Sequence, residues 1–246
     1  VKAAPKDQRR LLDLQAVDTS LAQLAHRRKT LPEFAELDTL ARTLSALEDE
    51  RVRAQVTVDD IDRDIARLER DIDQVRLRRQ KDDDRLAAGT GPARELEALQ
   101  HEVASLTRRQ SELEDQELEL MEQRETAQAT LDEIGGRQVA ARENRVAAEA
   151  RRDAALLEIT KEEEYKAKSR TPLASDLPGD LIALYDRLRE ANAGLGAALF
   201  RAGRCGGCRL ELYGQELHRV KAAPADDVVR CEECGRIMVR TAESGL

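Results

Sequence analysis

Every seventh residue from Leu99 to Ala155 is leucine, isoleucine or alanine: Leu99, Leu106, Leu113, Leu120, Ala127, Ile134, Ala141, Ala148 and Ala155. A repeat of seven held over that length suits a helix that buries one seam against another helix, and little else. The companion seam position is apolar at Leu96, Val103 and Leu131 but polar at Gln110, Glu117 and Arg124. Polar residues there either fix the register of the helices or select a partner. Upstream, Leu14, Val17, Leu21, Leu24 and Leu31 step by three, four and seven, and Ile61, Ile65, Leu68, Ile72 and Val75 resume the stride. Pro32, between the two runs, marks a kink or a break.

The stretch "AGTGP" divides the helical sequence into arms of near-equal length, roughly residues 6–87 and 93–168, which predicts an antiparallel hairpin with its turn near 88–92. At about 1.5 Å per residue each arm would reach roughly 110 Å. Gly135 and Gly136 fall midway along the second arm, as a flexible joint or a tolerated pair. Composition points the same way: aromatics are 2%, tryptophan is absent and 37% of residues are charged, the make-up of long helices and not of a large core. Beyond "KSRTPLASDLPG" the heptads stop, and "DLIALYDRLRE" places Leu181, Leu184, Tyr185 and Leu188 on one face of a short helix, with Asp180 positioned to cap its open amides. Tyr165, Tyr185, Phe200 and Tyr213 are the material for a small core in the last third of the chain.

All four cysteines lie in that last third, as the pairs Cys205/Cys208 and Cys231/Cys234. Two residues between thiols let one tight turn place both sulfurs on one ion, and two such turns complete a tetrahedron. Four thiolates with no histidine or carboxylate favour one structural zinc, although a rubredoxin-type iron uses the same ligands. Gly206, Gly207 and Gly235 offer the positive-φ freedom of knuckle turns, and "LHRVK", "VVR" and "IMV" read as short strands around the second pair. The expected fold is therefore mainly α: an antiparallel coiled-coil hairpin over residues 1–168, a linker and short helix over 169–198, and a small β zinc ribbon over 199–246. His26, His101 and His218 assemble no catalytic constellation, and no nucleotide or metalloprotease motif occurs, so neither an enzyme nor a small-molecule substrate is expected.

A long helical hairpin, a short helix, then "GRCGGC" and "CEECGRIMV" resembles the bacterial C4-type zinc-ribbon coiled-coil family over almost the whole chain. On that resemblance Cys205, Cys208, Cys231 and Cys234 match the metal ligands, and Gly235 and Arg236 match a C-G-R element. Glu232 departs from the proline many relatives carry there. The resemblance implies an adaptor, some members being linked to flagellar or secretion gene expression through a sigma factor or messenger RNA.

The partner expected from these readings is a nucleic acid, RNA or DNA, held by Arg204, Arg209, Arg219, Lys221, Arg236 and Arg240, or else a protein on a scaffold with a purely structural ribbon. Eight basic residues face seven acids from Phe200 onward, and four thiolates with Zn²⁺ add −2, so nucleic-acid binding requires those arginines to share a face. No window of about 18 apolar residues exists, the first ten residues do not read as a signal peptide, and thiol pairs belong to a reducing compartment. The expectation is a bacterial cytoplasmic protein with no membrane partner.

Overall fold

The computed structural model describes residues 1–245. Helix α1 spans Pro5–Lys29, α2 Pro32–Ala88, α3 Ala93–Ser175 and α4 Gly179–Ala191; strands β1 (Ala197–Arg201) and β2 (Arg204–Cys205) follow, then α5 (Gly214–Ala222) and β3 (Ile237–Arg240). Proline opens both α1 and α2, where its missing amide would have had no partner in any case. Pro32 therefore starts a helix: the first arm is two helices with Thr30 and Leu31 between them. Four basic residues, His26 to Lys29, close α1, where they oppose the helix dipole.

The contacts divide the chain into two units, residues 35–149 on one hand and residues 1–34 with 150–245 on the other. The first is the part of the helical hairpin that carries the turn. Its core repeats as small clusters of α2 against α3: Leu47 with Ile134 and Ala141, then Leu68 and Ile72 with Leu113. All nine heptad residues of α3 are buried or half-buried, so the period of seven is a packed seam. Across its flanks Glu50 meets Arg137, Asp62 meets Arg124 and Arg76 meets Glu114. Such exposed pairs set register more than stability. Gly135 and Gly136 lie in uninterrupted helix, and a methyl group on either would meet nothing within 4 Å. At the turn, Gly89 (φ 61°) and Gly91 (φ 152°) supply the backbone that reverses the chain.

In the other unit, Leu24 and Leu31 pack on Ile159 of α3. The rest is built around a three-stranded sheet ordered β2-β1-β3, with β1 antiparallel to β2 and parallel to β3. Alternation along the strands separates two cores. Ala197, Ile237 and Val239 face Leu11 and Leu14 of α1 and Leu181, Leu184 and Tyr185 of α4. Phe200 and Met238 face Leu212, Val220, Val229 and the cysteines.

The structure corrects several expectations. "LHRVK" lies in α5, because Leu217 and Val220 are three apart and put both apolar side chains on one helical face, whereas a strand would need even spacing. Asp180 sits in the first turn of α4 without making a side-chain cap; Pro178 occupies the cap position. Helix α3 continues through Pro172 to Ser175, past the boundary read at 168/169, and α1 shares a core with the ribbon sheet and not only with the second arm. Tyr185 and Phe200 are fully buried, but Tyr165 and Tyr213 are 69% and 70% exposed and belong to no core.

Candidate metal centre

Each cysteine pair sits in a tight turn, and the two turns repeat one hydrogen-bond scheme. Arg209 N–H donates to the Cys205 carbonyl (2.7 Å) and Cys205 N–H to the Leu210 carbonyl (2.9 Å); Gly235 N–H donates to the Cys231 carbonyl (2.9 Å) and Cys231 N–H to the Arg236 carbonyl (3.0 Å). The residue after the second cysteine is left-handed in both, Arg209 at φ 66° and Gly235 at φ 71°. The left-handed position expected of Gly206 and Gly207 is thus taken by Arg209. Those two glycines are required for space instead: a Cβ at Gly206 would lie 2.5 Å from the Leu199 carbonyl oxygen, and one at Gly207 2.6 Å from Arg236 Cδ.

The four Sγ atoms lie within 4.8 Å of one another. Cys205 to Cys234 and Cys208 to Cys231 are each 3.8 Å apart. Zn–S bonds of about 2.3 Å in a tetrahedron place sulfurs about 3.8 Å apart, so the donor set fits one zinc ion with no position left for water or substrate. Cys205 and Cys231 are buried; Cys208 and Cys234 are half-buried. Burial pushes the Cys205 and Cys231 thiols up, partly offset by backbone N–H groups of Gly207 and Cys208 on one sulfur and of Glu233 and Cys234 on the other. At Cys234 burial is outweighed by hydrogen bonds from the Arg236 backbone and side chain and from Cys231 and Cys205, so that thiol is held down. A bound dication supplies the charge that makes all four thiolates. The centre is structural.

Residues 14–193 match the CT398-like coiled coil hairpin domain, and residues 204–238 match the C4-type zinc ribbon domain. The chain belongs to the CT398-like family. An uncharacterized protein of Mycobacterium tuberculosis strain H37Rv is 38% identical over 240 residues, 98% of each chain. A solved structure from Mycobacterium smegmatis is 37% identical and superposes with a TM-score of 0.83 over 98% of this chain and 100% of that one. CT398 of Chlamydia trachomatis shares the fold at a TM-score of 0.65 and 20% identity, over 95% of this chain and 97% of its own.

The basic residues read as nucleic-acid contacts are dispersed in role. Arg204 pairs with Glu211 at 2.8 Å and Arg219 with Glu232 at 3.0 Å. Arg236 donates to the carbonyls of Leu195 (3.0 Å) and Asn192 (3.3 Å). Arg240 donates to those of Val220, Ala223, Pro224 and Asp227 at 2.6–3.3 Å. Only Arg209 and Lys221 of the six are exposed without an ion pair among the described residues. Sequence reading missed a polar set on α1: Gln8, Gln15 and Asp18 are 2%, 5% and 3% exposed. Their spacing of seven and three was the available signal, since it continues the buried stripe of Leu11 and Leu14.

Asp18 is the hub of one buried network. It accepts from Tyr185 Oη (2.8 Å) and from Arg170 Nε (2.7 Å), while Arg189 approaches to 3.5 Å. Burial, then the Asp18 carboxylate, pushes the Tyr185 phenol up.

Proposed function

We propose that this chain is a non-catalytic adaptor of the reducing cytoplasm whose zinc ribbon is structural and whose hairpin engages a protein partner. The observation that carries this reading is the commitment of the ribbon's arginines: Arg204, Arg219, Arg236 and Arg240 are held by carboxylates or by backbone carbonyls. A phosphate backbone would have to displace those partners or rely on Arg209 and Lys221, a small electrostatic footprint. Two long stretches of the hairpin are also unsuited to a polyanion. Residues 111–133 carry nine acids against Arg124 alone, and residues 54–76 carry seven acids against four arginines. Leu118 and Met121, 60% and 47% exposed within the acidic stretch, are the kind of side chain a protein surface covers. No helix among the described residues is long and apolar enough to cross a membrane.

The test is fluorescence anisotropy of the zinc-loaded chain with single-stranded RNA and duplex DNA at about 50 and about 200 mM salt. The expected result is no binding tighter than the weak non-specific range of about 10⁻⁴–10⁻⁶ M. Tighter binding that falls steeply with salt, and that Arg209→Gln with Lys221→Gln weakens, would replace the protein adaptor by a nucleic-acid one.

A further inference from the structure

Gln8 and Gln15 sit seven residues apart on the buried face of α1. A buried primary amide is costly unless its polar atoms find partners, and each side chain has partners on backbone that runs into the metal centre. Gln15 Oε1 accepts from the N–H groups of Gly196 (2.8 Å) and Ala197 (3.2 Å), where β1 begins. Its Nε2 donates to the Gly194 carbonyl (2.8 Å) and to Thr19 Oγ1 (3.0 Å). β1 in turn pairs Phe200 with Cys205, so Gln15 holds the strand on which the first knuckle hangs.

Gln8 does the corresponding thing for the second knuckle. The two N–H groups of its Nε2 are shared among the carbonyls of Ala3 (2.9 Å), Ala225 (3.1 Å) and Asp227 (3.5 Å). Residues 224–230 deliver the chain to Cys231 and belong to no strand; isolated bridges tie them to Lys2 and Ile237, Met238 N–H donates to the Val229 carbonyl (2.9 Å), and Arg240 donates to the carbonyls of Pro224 and Asp227. The start of the chain adds to the grip, with Ala3 N–H on the Asp226 carbonyl (2.8 Å) and Val228 N–H on the Val1 carbonyl (3.2 Å). One helix, nearly two hundred residues upstream of the first cysteine, thereby fixes the backbone leading into both halves of the tetrahedron.

We propose that Gln8 and Gln15 are positioning residues of the zinc centre, and that α1 sets how tightly the ion is retained. Groups that hydrogen-bond a metal ligand change affinity by about 10–100-fold when removed; Gln8 and Gln15 act one step further out, on backbone that sets the separation of the knuckles.

The experiment follows zinc release from the full, zinc-loaded chain to a chromophoric chelator, with visible absorption of the cobalt-substituted protein reporting four-thiolate geometry. Gln8→Leu and Gln15→Leu are expected to lose zinc up to about tenfold faster, the lower end of that range, with the tetrahedral cobalt spectrum kept at saturating metal. Leu24→Ala is the control, since it opens a cavity against Leu31 and Ile159 within the same unit and should leave release unchanged. Unchanged release in both leucine variants, or equal acceleration in Leu24→Ala, overturns the proposal. Should a leucine variant not fold, glutamates decide. Gln15→Glu keeps an acceptor for Gly196 and Ala197 and sets its other oxygen against one carbonyl, that of Gly194, whereas Gln8→Glu sets a carboxylate against three carbonyls, so the first should hold zinc longer. Equal release from the two glutamate variants also overturns it.

Discussion

At the scale of single residues, the ribbon is sensitive where the backbone leaves no room. Gly206 faces the fixed Leu199 carbonyl of β1, while Gly207 faces Cδ of the Arg236 side chain, which can shift further than backbone can. Gly206→Ala should therefore lower stability by about 1–3 kcal/mol and Gly207→Ala by less; urea midpoints of the two zinc-loaded variants check the order. Asp18 makes the other residue-scale case. Tyr185 holds its proton more tightly folded than unfolded, because its phenol is buried and donates to Asp18. The folded state then binds more protons wherever the unfolded phenol has begun to ionise, above about pH 10, so stability from this group is intact below that pH and declines as pH rises past it. Thermal melts from pH 8 to pH 11 should show that decline. Tyr185→Phe should remove this group's share of it, at a cost of about 1–2 kcal/mol near neutrality for the lost hydrogen bond.

Among the elements, the heptads of α3 and the C-x-x-C turns were legible because each is a local periodicity or spacing that only one geometry satisfies. Helix α5 was not, because "LHRVK" is short and the odd spacing of Leu217 and Val220 is a single pair, too little to establish a period; its place was decided by packing of Val220 on Phe200 and Met238. The polar stripe of α1 escaped for another reason. Gln8, Gln15 and Asp18 look like solvent-facing residues until backbone from the far end of the chain arrives to use their hydrogen bonds. Within α3, Gly135 and Gly136 read equally as joint or tolerated pair. Helix passes through both with empty space where a methyl would go. Gly135→Ala and Gly136→Ala should each stabilise the hairpin by about 1 kcal/mol, seen as a rise in the midpoint of thermal unfolding. A fall in the midpoint would show that the pair is needed for a bend.

At the scale of the whole chain, the metal centre and α1 belong to one unit, while residues 35–149 pack among themselves. Zinc removal by chelation should consequently melt α5 and the cysteine core but spare the other helices. Far-UV circular dichroism at 222 nm should drop only by the small share of a nine-residue helix, while the near-UV signal of Phe200, packed in the cysteine core, falls and that of Tyr185, packed in the core of α1 and α4, is kept. A large loss of helix would mean that α1 and α4 depend on the ion. The same arrangement governs the order in which the chain can assemble. Helix α1 is synthesised first, yet the surfaces that cover Leu11 and Leu14 include Leu181, Tyr185 and Val239. At roughly 5–20 residues per second the hairpin segment between them has seconds in which to close by local pairing before the last strand emerges. Until then the leucines and glutamines of α1 wait uncovered, so the nascent chain, and not the finished protein, is the form most exposed to aggregation and to chaperone capture.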